Sequence, residues 1–152
     1  MADVKKAAGK ANQKADQTFS AEEKAAMREA AAEARKKKSG KVDGEADILA
    51  KIKEMDPNDK KIAEAIHALV KKHAPQLESR TWYGMPAYGH AGKPAVLFFQ
   101  AASKFKARYA TLGFNDPAQL DDGNMWPTAF GVMKITPAEE TRIAALIKKA
   151  AG

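Results

Sequence analysis

The chain has 152 residues, 45% apolar and 30% charged, with a net charge of +7 and no cysteine. That is the length of one domain, enough to bury a core without staples, and the missing thiols exclude disulfides, thiolate zinc centres, iron–sulfur clusters and cysteine nucleophiles. No apolar run approaches the roughly 20 residues of a membrane span, and MADVKKAAGKANQKAD lacks the apolar core of a secretory signal, so a cytoplasmic protein without membrane contact is expected.

Charge divides the chain unevenly. Residues 1–41 hold 11 Lys or Arg against 6 Asp or Glu, whereas the remainder holds 15 against 13. A near-neutral body with a basic arm points to weak, salt-sensitive, sequence-independent nucleic-acid association through the arm rather than to a basic reading surface.

Residues 1–19 offer nothing large and apolar between Val4 and Phe19, so a disordered basic tail is expected there. Ser20-Ala-Glu-Glu23 is a capping box, and it predicts a helix over about 21–38 ending before Gly40, with 20–41 forming an N-terminal helix and hinge. Met27 is that helix's one sizeable apolar residue, so loose docking is expected. The run Arg35-Lys36-Lys37-Lys38 suits either phosphate contact or a solvated cationic helix end, the latter being the commoner use.

The body is expected to span 42–152. Asp43 or Gly44 caps a helix carrying Ile48, Leu49, Ile52 and Met55, and Asp56-Pro57-Asn58-Asp59 stops it and starts another carrying Ile62, Ile66, Leu69, Val70 and His73. His67, His73 and His90 lack the spacing of a shared metal site and read as surface or edge residues.

Strands follow. Thr81–Tyr83 begins the first, and Gly84-Met85-Pro86 breaks it, with an edge or bulge expected at the proline. Ala95–Gln100 is the second, reached through the glycine-rich turn after Tyr88. Phe105–Thr111 alternates Phe105, Ala107 and Tyr109 against Lys106 and Arg108, the pattern of a half-buried strand. After a long loop over 113–127, a last strand near 129–135 leads into Thr136-Pro137-Ala-Glu139 and a closing helix presenting Ile143, Leu146, Ile147 and Ala150. The order predicts an α+β fold: an antiparallel β-sheet of about four to five strands flanked by N-terminal helices and a C-terminal helix.

Aromatic residues concentrate in this sheet region. Trp82, Tyr83, Met85, Pro86, Tyr88, Phe99, Lys104, Tyr109, Met125 and Trp126 are the candidate lining of a ligand-binding cleft between the Trp82–Tyr88 turn and the 113–127 loop, although sheet aromatics more often fill a core. Lys104, Arg108 or Gln100 would orient the ligand. Asp116, Asp121 and Asp122 are weaker candidates for a hard cation, since the loop lacks the ligand order of an EF-hand. No serine stands in a nucleophile elbow and no phosphate-cradling glycine loop follows a strand, so no enzyme is expected.

Thr81-Trp-Tyr-Gly-Met-Pro-Ala-Tyr88, with Val96-Leu-Phe-Phe99, Lys104-Phe105, Tyr109, Leu112-Gly-Phe114 and Met125-Trp-Pro127, resembles the YdhG-like family, a bacterial domain of unknown function. The resemblance spans about 45–150 and implies a cytoplasmic α+β domain, with Trp82, Gly84, Pro86, Tyr88, Phe99, Lys104 and Tyr109 lining a shared cleft. A group within that family is described as frataxin-like intracellular iron chaperones. The resemblance therefore implies iron as a possible cargo, but Glu22, Glu23, Glu29 and Glu33 are interspersed here with Lys and Arg and form no continuous anionic ridge. The expected protein is a non-enzymatic binding module, monomer or homodimer, for a small molecule or protein partner, with iron handling and nucleic-acid association as alternatives.

Overall fold

A computed structural model describes residues 19–38 and 43–152. The expected disordered tail lies outside the described residues except Phe19 at its end, and so does the first half of the expected Lys41-Val42-Asp43-Gly44 hinge, whose Asp43 and Gly44 start a helix.

Helix α1 covers Ala21–Lys38, starting where Ser20 Oγ accepts from Glu23 N at 3.1 Å. Helix α2 (Gly44–Lys53) starts at Asp43, whose carboxylate accepts from Ala46 N at 3.1 Å. Helix α3 covers Pro57–His73, with the rigid proline ring at the position where its missing N–H costs nothing. Helix α4 covers Pro137–Ala151; at its start Thr136 Oγ1 donates to the Glu139 carboxylate instead of accepting from the Glu139 amide as the expected box requires.

Between α3 and α4 lie five strands, β1 (Glu78–Trp82), β2 (Met85–Gly89), β3 (Ala95–Gln100), β4 (Ala110–Phe114) and β5 (Ala129–Val132). They pair antiparallel in chain order, which makes the sheet a meander and confirms the α+β class.

Two strand expectations need correction. The first hairpin is tighter than its sequence suggests: Tyr83 and Gly84 form a two-residue turn with φ of 52° and 74°, so Met85–Gly89 is a strand in its own right. Pro86 is accordingly on an interior strand, tolerated because it faces Thr81 and the β2–β3 ladder begins only at Ala87–Phe98. The irregularity falls instead between Tyr88 and Gly89. The alternating stretch from Phe105 is not a strand either. Ser103–Phe105 is a 3₁₀ turn closed by Lys106 at φ 52°, and pairing starts only at Ala110.

Register assigns the faces. Tyr88, Leu97, Phe99, Leu112, Phe114 and Val132 point inward with Ile48, Ile52, Ile62, Ile66, Val70, Ile143 and Ile147 from α2, α3 and α4 to form the core. Leu49, expected in the apolar stripe, is exposed, because Ile48 and Ile52 alone occupy the side of α2 turned to the sheet. That approach is close. A Cβ on Gly44 would lie 1.8 Å from the Ser79 carbonyl oxygen, so only glycine lets α2 start against β1.

Candidate functional site

The opposite face of the sheet carries Trp82, Met85, Phe98 and Gln100, brought level by the Trp82–Met85 and Ala87–Phe98 pairings. Helix α1 lies across this end. Between them is an apolar cleft of about 340 Å³, walled by Phe19, Ala26 and Met27 on one side and by Trp82, Phe98 and Phe105 on the other. Its rings are mutually braced, since Trp82 meets Tyr83 edge-on at 5.1 Å and Phe98 at the same distance. Gln100 and Glu23 are its polar groups. A cavity of this size stands at the lower end of the roughly 300–1,000 Å³ typical of ligand sites, room for one or two rings.

Sequence candidates divide between several places. Trp82, Tyr83 and Met85 line the cleft, and Gln100 is the orienting group that the sequence offered. Pro86, Tyr88 and Phe99 are buried, the last two within the core, so they shape the sheet rather than the opening. Lys104 turns to the other flank of α1. Tyr109 packs over Gly131, Met125 is exposed and Trp126 leans on the core beside β5. Because β1 and β5 are opposite edges of the sheet, the 113–127 loop and the Trp82 turn do not enclose a common hollow. The cleft's second wall comes from α1, and Phe19 and Met27 supply it. Sequence reasoning placed Phe19 in the tail and gave Met27 no partner; an apolar residue on either side of the capping box was the available signal.

Helix α1 is held by an acidic stripe. Glu22, Glu29 and Glu33 recur at i, i+7 and i+11, and each meets the body: Glu22 pairs with Lys106 at 3.0 Å, Glu29 with Lys104 at 2.8 Å, and Glu33 accepts from the Tyr83 and Gly84 amides at 3.1 and 2.8 Å. These carboxylates are consumed in docking. Lys36, within the basic run, reaches Asp47 of α2 at 2.8 Å.

Two buried polar centres escaped the sequence. Asp59, 4% exposed, accepts from the amides of Ala102 and Ser103 at 3.0 and 3.2 Å and from Ser103 Oγ at 2.8 Å, tying the 3₁₀ turn to α3. The second is a chain across α2, α3 and β2. Tyr88 Oη is 2.9 Å from His67 Nδ1, and His67 Nε2 is 3.2 Å from Glu45 Oε1, with Lys71 on the other carboxylate oxygen at 3.1 Å. An ionised carboxylate only accepts, so Nε2 donates to it, and in the neutral imidazole Nδ1 is then the acceptor for the phenol O–H. Burial, aided by the Glu45 charge, pushes the Tyr88 phenol above its usual range and keeps it a neutral donor. The Lys71 and His67 hydrogen bonds hold Glu45 below the usual carboxylate range. With Tyr88 sealed in the core, this chain ties β2 to α2 and α3.

Asp116, Asp121 and Asp122 are all exposed, and among the described residues no three His, Cys, Asp or Glu side chains gather as a metal-holding group. No described helix is long and apolar enough to cross a membrane. Fold and cleft together define an α+β domain on a five-stranded meander with a helix-walled apolar opening. No family model, curated protein or solved structure matches the chain.

Proposed function

We propose that the protein is a non-catalytic binding module that takes a small apolar or aromatic ligand, or one apolar side chain of a partner, in the cleft between α1 and Trp82. The observation that carries this reading is a ring-walled apolar opening of about 340 Å³ on the face of the sheet opposite the core. Flat rings stack on Trp82 and Phe98, each aromatic pair adding about 0.5–1.5 kcal/mol beyond the area it buries, while the Gln100 amide selects one polar group on the ligand. The Thr81–Tyr88 motif supports placing this module in the YdhG-like family, and its first residues build the cleft's inner wall.

The neutral dye N-phenyl-1-naphthylamine tests it, because it lights up in apolar sites without being drawn to cationic surface. Saturable binding near one equivalent is expected, lost in Trp82→Ala and Phe98→Ala and kept in Met125→Ala, whose site is remote. Undiminished binding by a folded Trp82→Ala protein would overturn the proposal.

A further inference from the structure

On the acidic-stripe flank of α1, three separate parts of the body aim donors at two carboxylates one helical turn apart, Glu29 and Glu33. Tyr83 and Gly84, at the centre of a tight hairpin turn, have amides that no strand pairing uses, and both point to the same carboxylate. Lys104 arrives from the 3₁₀ turn, its side chain only 20% exposed, and Lys51 from α2; their ammonium groups stand 2.8 and 3.7 Å from the two oxygens of Glu29. Gly84 is what allows the approach, since a Cβ there would lie 1.2 Å from Glu29 Oε2 and 2.9 Å from Lys104 Nζ. A cleft of about 330 Å³ opens beside these groups, lined also by Asp56 and by Glu54, whose carboxylate stands 3.9 Å from the Lys51 ammonium.

Two convergent amides and two ammonium groups are the donor set by which proteins hold a doubly charged oxyanion. Here the oxyanions are two side chains of the same molecule. The helix that bears them is also tied by Glu22–Lys106 at 3.0 Å and Lys36–Asp47 at 2.8 Å, but it brings little apolar bulk to the body, for among its described side chains only Ala26 is buried, and Met27 remains 40% exposed. A partly desolvated ammonium such as that of Lys104 needs an anion beside it whichever molecule supplies it.

We propose that the Tyr83–Gly84 amides with Lys51 and Lys104 form an oxyanion-binding site that α1 occupies in cis through Glu33 and Glu29, so that a free phosphate-type or dicarboxylate ligand competes with the docking of α1. Occupation by such a ligand releases the helix that walls the apolar cleft, which makes the site a control on access to it. The inference does not depend on what the apolar cleft binds.

Titration of the full chain with inorganic phosphate and, separately, with succinate at constant ionic strength, followed by amide NMR, tests it. Replacing both competing carboxylates in Glu29→Gln/Glu33→Gln should tighten binding by about tenfold, the scale of losing one charge-assisted hydrogen-bonded competitor, with the Tyr83 and Gly84 amides moving most. Adding Lys104→Gln should abolish that gain. Saturation by phosphate alone identifies a phosphate ligand, and saturation by succinate identifies a carboxylate one. Equal affinity in the double variant and the parent, no saturation by either anion, or shifts that spare Gly84 would overturn the proposal. Dye binding on the same samples reads the apolar cleft separately.

Discussion

The two faces of the sheet are built from similar side chains and end differently. Inside, Phe99, Tyr88 and Leu97 are covered by three helices whose apolar stripes match the sheet, and the polar atoms left over are absorbed by the Glu45–His67–Tyr88 chain. Outside, Trp82 and Phe98 face a helix that brings alanines and carboxylates instead of leucines, so docking is electrostatic and the rings stay partly uncovered. Where both partners supply apolar bulk, the result is solid packing. Where one supplies charge, a hollow survives.

Substitutions can break this contrast. The largest effect is expected inside, where Phe99→Ala should cost about 3–5 kcal/mol by urea unfolding. Trp82→Ala, a larger deletion on the outer face, should cost less than half of that while removing dye binding; equal costs would mean that the outer ring is core too. Tyr88→Phe leaves His67 Nδ1 without its donor and should cost about 1–2 kcal/mol by the same assay. Smaller still, Glu33→Gln should lower global stability by no more than about 1 kcal/mol and speed hydrogen exchange at Tyr83 and Gly84, the local signature of a loosened α1.

The smallest effect is a pH dependence. Glu45 is held below its ordinary value of 4.5, chiefly by Lys71 and then by His67, so the folded state binds its proton less readily than the unfolded chain does. The stabilisation is therefore complete above about pH 4.5 and fades as pH falls through the lowered folded value. Glu22 and Glu139 are held low as well and add to the same acid limb. Glu45→Gln should thus flatten, without removing, the loss of stability below pH 4.5, read from urea midpoints at stepped pH. Identical acid limbs for parent and variant would show that the Glu45 carboxylate does not stabilise the fold.

Sequence was most legible where a local rule and the tertiary outcome agree. The Ser20 and Asp43 caps, the Ile62–Ile66–Val70 stripe and the hairpin before Ala95 each declare themselves within a few residues. It was least legible where one residue overrides a pattern. Tyr83 and Lys106 adopt positive φ, which their side chains disfavour, and those two positions displaced the first strand break and turned the apparent strand at Phe105 into a 3₁₀ turn. The cleft was half visible for a related reason. Its sheet wall lies in one aromatic motif, but its helical wall depends on Glu29–Lys104 and Glu33–Gly84 contacts across 75 and 51 residues, which no local signal announces. The Glu spacing at i, i+7 and i+11 was the one hint, and it reads equally as a solvated stripe until something basic is found opposite it.

The central claim is that the outer rings bound an open site, and Trp82 can report on it directly. The chain has two tryptophans, so a Trp126→Phe variant emits from Trp82 alone. Titrating it with N-phenyl-1-naphthylamine should quench that emission saturably, in step with the rise in dye fluorescence. Indole emission that stays constant while dye binds elsewhere, or no saturable binding at all, would contradict the account.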